Sequence, residues 1–219
     1  MATDRRSRES GGPAAFAMSE EQWDSRFRGN DELGKPMIGD GCRAQPFSEE
    51  QREALRTACA EDGEIWQIYA NNFGPDGFDA SIDRYISNRG NRTFVLFDGD
   101  ELAGMSSYLG IDPNRQVLEI GGTYYAPEHR GGPTNPAAKR LLLGEAFARG
   151  ARRVQFKVDA INARSRAAVL KLCAVQEGIL RQDRVCWTGR IRDTVFFSIL
   201  ANEWPGVRAR LDARLLEFA

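Results

Sequence analysis

Residues 117–149 constrain the fold more than any other stretch, because they run strand, glycine-bearing loop and helix without interruption. Val117–Tyr125 alternates as a strand that Pro127 ends, and the segment Ala126-Pro-Glu-His-Arg-Gly-Gly-Pro-Thr-Asn135 is a loop. Pro136, a residue favoured in the first turn, opens a helix. It continues through Ala137, Leu141, Leu142, Glu145 and Ala146 to a stop at Gly150. A helix start leaves backbone N–H groups unpaired and carries partial positive charge, so it suits phosphate. Gly131 and Gly132 let the backbone approach such an anion, His129 and Arg130 add charge, and Thr134 or Asn135 can cap the helix. Two glycines at a strand–helix joint are common, so the segment gains meaning only from its neighbours.

Upstream, Cys42–Phe47 reads as a short strand. Ser48-Glu-Glu-Gln51 pairs a serine cap with a Gln three positions on, opening a helix to about Ala60. Helical spacing recurs at Ile65, Ile68 and Tyr69 and again at Phe78, Ile82, Tyr85 and Ile86, around a Gly74-Pro-Asp-Gly77 break. Thr93–Phe97, an Asp98-Gly99 turn, Glu101–Tyr108 and Val117–Tyr125 form an antiparallel meander. Downstream come a strand at Arg153–Val158 and a helix from Asn162 to about Leu172. Two closing strands, Gln176–Arg184 and Thr194–Leu200, precede an amphipathic helix, Pro205–Phe218, with Val207, Leu211 and Leu215 four apart.

Residues 1–40 read differently. Ser, Gly, Pro, Arg and Glu mix there without periodicity, so the expectation is a poorly packed N-terminal extension before a domain at 41–219. Trp23–Asp31 resembles peptides read from dispersed bacterial repeat DNA, which makes Met37 a candidate later start. Bulk properties exclude more than they assign. A net charge of -1 gives no reason to expect DNA or an anionic membrane. One histidine and four scattered cysteines (Cys42, Cys59, Cys173, Cys186) offer no metal-type spacing, and they fit reduced thiols in a cytoplasmic protein. No apolar run is long enough for a membrane helix.

The order of these elements resembles the GNAT superfamily of N-acetyltransferases, over roughly residues 42–205. Glu119-Ile-Gly-Gly-Thr-Tyr-Tyr-Ala-Pro127 looks like that family's fourth strand, and His129-Arg-Gly-Gly-Pro-Thr-Asn-Pro-Ala-Ala-Lys139 like its pyrophosphate loop and following helix. Gly150–Asp159 looks like the fifth strand, and Asn162-Ala-Arg-Ser-Arg-Ala-Ala-Val-Leu170 like its Asn-x-x-Ser/Ala helix. Gln176–Arg181 and Arg192–Leu200 resemble the closing strands of the RimJ/RimL-like branch, which acetylates protein N-termini.

The resemblance implies an α/β fold of the α+β kind: a mixed central sheet of about seven strands flanked by helices, with a splayed strand pair forming a wedge for acetyl-CoA. It implies an enzyme that passes the acetyl group to a primary amine by direct attack in a ternary complex, with acetyl-CoA as co-substrate and no metal. The acceptor is then a protein N-terminus, or a small amine or amino acid. Backbone groups near Tyr125 would hold pantetheine and polarise the thioester. Amides from Arg130 to Asn135, with His129, Arg130, Gly131, Gly132, Thr134 and Asn135 all candidates, would hold pyrophosphate. Asn162, Ser165 and Arg166 would meet the same ligand.

Glu119 is the candidate base, set against a plain surface or ion-paired carboxylate. His129 fits a loop or ligand contact better than a base. Tyr124 and Tyr125 face opposite ways, one packing and one lining the cleft. Two departures stand out: Pro133 cannot donate an N–H, and Val169 occupies the place where many members carry a tyrosine acid. Two rival readings follow, a CoA-binding regulatory module without turnover and an RNA- or ribosome-associated acetyltransferase using Arg149–Arg153 or the Arg-rich tail. A homodimer through the last strands or C-terminal helix is a candidate assembly.

Overall fold

The computed structural model describes residues 32–39 and 41–218. A 3-10 turn, Glu32–Gly34, precedes β1 (Met37–Gly39), which pairs antiparallel with β2 (Cys42–Pro46). The expected capping box at Ser48 and Gln51 forms, with Gln51 Oε1 accepting from the Ser48 amide at 3.0 Å, as the chain enters a 3-10 turn and α1 (Arg52–Ala60). The next helical signal is split by the Gly74–Gly77 break. A 3-10 segment, Gly63–Ile68, comes first and α2 (Phe78–Ser87) follows.

The meander then forms as β3 (Arg92–Asp98), β4 (Glu101–Asp112) and β5 (Val117–Tyr125). Gly99 takes φ +57 in the first hairpin, a conformation that glycine adopts without steric cost. After the loop come α3 (Thr134–Ala148), β6 (Arg153–Asp159), α4 (Ala163–Leu170), β7 (Val175–Val185), β8 (Ile191–Leu200) and α5 (Trp204–Leu216).

All eight strands join one sheet in the order β1-β2-β3-β4-β5-β6-β8-β7, with β5–β6 its parallel pair. One face is covered by α3 and α5. Leu142, Leu143, Ala146, Val207 and Leu211 pack there on Phe94, Leu118, Val154 and Phe197, and the Phe147 and Trp204 rings stack at 5.5 Å. Tyr108 Oη donates to the Leu142 carbonyl at 2.6 Å and pins α3 to the sheet. The other face holds Leu55, Trp66, Phe73, Phe78, Ile82 and Tyr124. As expected, Tyr124 and Tyr125 point to opposite faces: Tyr124 Oη donates to Ala58 O at 2.8 Å, while Tyr125 packs toward α3.

The sheet has eight strands rather than about seven, and the additional strand is β1, inside the tract expected to be poorly packed. Leu33 is 2% exposed and Met37 8%, both within the main core. Two isolated apolar residues in a polar tract show no period, so sequence patterning cannot register them; pairing with β2 supplies the rest. The expectation for residues 1–31 lies outside the described residues.

Candidate active site

The parallel pair β5–β6 is hydrogen-bonded only at its start, where Val117, Leu118 and Glu119 stand against Arg153, Val154 and Gln155. Beyond that point β5 runs on to Tyr125 and β6 to Asp159 without pairing to each other, and the sheet opens as a wedge. The opening belongs to a cavity of about 770 Å³, within the usual range for small-molecule sites.

Two local features shape β5 inside this wedge. Gly121 pairs with Ser107 and Tyr124 with Met105, so Gly122 and Thr123 together stand opposite Ser106 alone. That is a β-bulge, which takes backbone groups out of the ladder and re-aims them. Gly122 sits at φ +58, and a Cβ there would lie 2.6 Å from the Tyr85 ring. The family resemblance places the strand's backbone donors near Tyr125. The bulge lies two to three residues earlier, and the Tyr125 carbonyl accepts from Arg130 Nε at 2.8 Å. Sequence hinted at this only through the Gly121-Gly122 pair.

At the loop end, α3 starts at Thr134, two residues before the proline expected to open it. Among the described residues, the amides of Gly131, Gly132, Thr134 and Asn135 have no acceptor. Gly131 has φ +83, and a Cβ on either loop glycine would meet nothing within 4 Å. Arg130 anchors this loop rather than reaching freely: besides Tyr125 O it holds Asp62 Oδ2 at 2.5 Å and lies over the Tyr124 ring. Its Nη2 and the Tyr125 hydroxyl are buried without a hydrogen-bond partner among the described residues. Open glycine backbone, unpaired amides and unsatisfied polar atoms on one cleft fit a long polar ligand carrying phosphates.

Of the residues the resemblance singles out, Gly131, Gly132 and Asn135 line the cleft with Arg130, Tyr125, Asn162 and Ser165. Asn162 is committed locally as well, since Oδ1 accepts from the Ser165 amide at 2.9 Å and caps α4. Three expected residues turn elsewhere. Thr134 Oγ1 donates to Asp98 Oδ2 at 2.6 Å, and His129 Nδ1 lies 3.5 Å from the same carboxylate, so both side chains face the end of β3. Arg166 is not on the cleft wall; helical rotation points it away from Ser165, and its Nε is buried without a partner among the described residues.

The other end of the cleft is charged. Glu119 lines it, and its Oε2 lies 2.8 Å from Lys157 Nζ on β6. Burial pushes the Tyr85 phenol up to about 12, and the Glu119 charge adds to the rise. Arg192 is held below its ordinary pKa by burial and by Arg184. Its Nη2 donates to Lys157 O at 3.0 Å. Arg84 reaches Asn71 Oδ1 at 3.1 Å on the same wall.

One residue went unread at the sequence level. Lys139 on α3 is 7% exposed, and its Nζ donates to Thr123 Oγ1 at 2.9 Å. Thr123 Oγ1 in turn lies 2.7 Å from Ser106 Oγ. Burial pushes the Lys139 ammonium down to about 7. The signal was available, because Lys139 lies four before Leu143 and three before Leu142 on the buried stripe of its helix.

Residues 59–173 match the model of the Acetyltransferase (GNAT) family. A candidate acetyltransferase from T. thermophilus shares 35% identity over 82% of this chain and 96% of its own, with a TM-score of 0.75. Mycobacterium smegmatis RimJ, in complex with CoA-disulfide, superposes with a TM-score of 0.69 at 19% identity, over 82% and 92% of the two chains. A Salmonella typhimurium acetyl transferase that modifies the N-terminal serine of ribosomal protein L7/L12 gives 0.67 at 19%, over 75% and 98%. Comparison with the curated proteins gave no match. Among the described residues no helix is long and apolar enough to cross a membrane, and no group of three His, Cys, Asp or Glu could hold a metal.

Proposed function

The chain belongs to the GNAT acetyltransferase family, and from that membership we propose that it moves an acetyl group from acetyl-CoA to a primary amine, with a protein N-terminus as the acceptor class. The observation that carries this reading is the opening of β5 from β6 directly above the bulge and beside the glycine loop. An extended pantetheine arm can lie along the unpaired edge of β5 while the loop amides and the start of α3 take the pyrophosphate.

Bulge amides at Gly122 and Thr123 would polarise the thioester carbonyl, since a donor fixed by the strand needs no reorganisation as charge develops. A thioester reacts readily with a neutral amine, so positioning and deprotonation are the protein's main contributions. Glu119 takes the ammonium proton, directly or through one water, from the charged end of the cleft. Its ion pair with Lys157 fixes the carboxylate's direction. The acceptor enters from that side, between α2 and β7, and attacks without a covalent enzyme intermediate. The fold shared with RimJ and with the L7/L12-modifying enzyme supports the RimJ/RimL-like reading and a protein N-terminus over a free amine.

Calorimetry with CoA and thiol release from acetyl-CoA test the two halves separately. Micromolar CoA binding together with thiol release to N-terminal peptides is the expected outcome. Absence of CoA affinity removes the enzyme assignment, whereas binding without turnover across peptides and small amines leaves a CoA-responsive module instead.

A further inference from the structure

Acetyl transfer leaves a thiolate where water is scarce, and the most buried amine among the described residues lies beside the segment that would hold the thioester. Lys139 reaches from the apolar face of α3 to Thr123, one of the two bulge residues, and lines the same cavity. Of the three N–H bonds of a lysine ammonium, one is directed to Thr123 Oγ1. Thr123 is itself held by Ser106 Oγ at 2.7 Å and, through its carbonyl, by Tyr69 Oη at 3.0 Å. The hydroxyl of Tyr69 is thereby committed to a backbone acceptor, and Val169 offers no proton.

We propose that Lys139 gives a proton to the departing CoA thiolate, acting from the Thr123 bulge. The free amine of the acceptor forms a bond to the acetyl carbon, and the adduct expels sulfur by breaking the C–S bond. The Lys139 ammonium passes one proton to that sulfur, yielding CoA thiol. The surplus proton on the new amide nitrogen goes to water, and neutral Lys139 regains a proton from solvent as the products leave.

Burial suits the amine to this role. An ordinary lysine holds its proton too tightly, whereas one titrating near 7 gives it to a thiolate whose ordinary pKa is near 8.5. The cavity's other titratable side chains include Tyr69, Tyr125 and Arg130, Glu119 on β5, Lys157 and Asp159 on β6, Arg164 on α4 and Arg214 on α5. The downward shift of Lys139 arises from burial alone, so none of these carboxylates or guanidiniums sets it.

The inference rests on the acetyl-transfer reading of the same cleft, so the test reads CoA affinity apart from turnover. Lys139→Met and Lys139→Arg are compared with the parent for CoA affinity by calorimetry and for the pH dependence of thiol release at saturating acetyl-CoA and acceptor. The expected result is a kcat about 100-fold lower in Lys139→Met with CoA affinity kept within about threefold. The alkaline fall in kcat of the parent, which reports loss of the lysine proton, disappears in this variant. Lys139→Arg is as slow, because a guanidinium keeps its proton. A melting temperature no lower than the parent's is expected for Lys139→Met, since an apolar chain of similar length replaces a buried amine. An alkaline limb that survives in Lys139→Met, or near-parental kcat in either variant, overturns the proposal while leaving acetyl transfer intact. A parent that binds CoA yet releases no thiol overturns both.

Discussion

At the loop end of the cleft the groups proposed to take the donor are mostly backbone: the Gly131 and Gly132 amides, the first turn of α3 and the bulge at Gly122–Thr123. At the opposite end they are charged side chains: Glu119 on Lys157, Arg192 on the Lys157 carbonyl and Arg84 on Asn71. The difference fits the two substrates. Backbone donors are fixed by the fold and tolerate sequence change around them, which suits a donor whose phosphates and pantetheine never vary. Charged side chains are exchangeable and sensitive to their surroundings, which suits the partner that distinguishes one acetyltransferase from another.

The largest effect should come from the charged end. Glu119→Gln is expected to lower kcat by about 100-fold or more while CoA affinity stays within about twofold. An unchanged pH–rate profile would remove Glu119 as the base and break the division of labour. An intermediate effect belongs to the backbone end. Gly131→Ala forces an alanine into φ +83 at a strain of about 1–2 kcal/mol, so CoA should bind about tenfold more weakly in calorimetry, with kcat at saturation nearly unchanged.

The smallest effect on binding should follow Thr134→Ala, although this residue stands in the same loop. Its hydroxyl serves Asp98, so CoA affinity should move by less than about twofold while thermal stability drops by about 1 kcal/mol, roughly 3 °C. A tenfold loss of CoA affinity there would return the side chain to the cleft and blur the contrast.

How much of this was legible is best seen at neighbouring residues. Gly131 and Gly132 are readable because glycine between a strand and a helix has a conformational meaning, and both line the cleft. His129 and Thr134 looked equivalent to them, yet both turn toward Asp98. Nothing local encodes that turn, because Asp98 is more than thirty residues away and reaches the loop only when β3 lies beside it. Lys139 was hidden for the converse reason. A lysine in a helix ordinarily reaches water, and only the packing of α3 over the open edge of β5 makes this one a buried amine. Leu33 and Met37 lie in a tract with no period; pairing with β2 places Met37 in the core, and Leu33 joins it from the 3-10 turn ahead of β1.

The sequence by itself determined the order of strands and helices from β2 onward, the hairpin at Asp98-Gly99 and the glycine loop ahead of α3, because these depend on periodicity and backbone preference within a few residues. The tertiary structure decided the rest: where β5 parts from β6, which side chains face the opening, and how far burial shifts the amine of Lys139. Each of those depends on groups far apart in the chain becoming neighbours, and on the water that their meeting excludes.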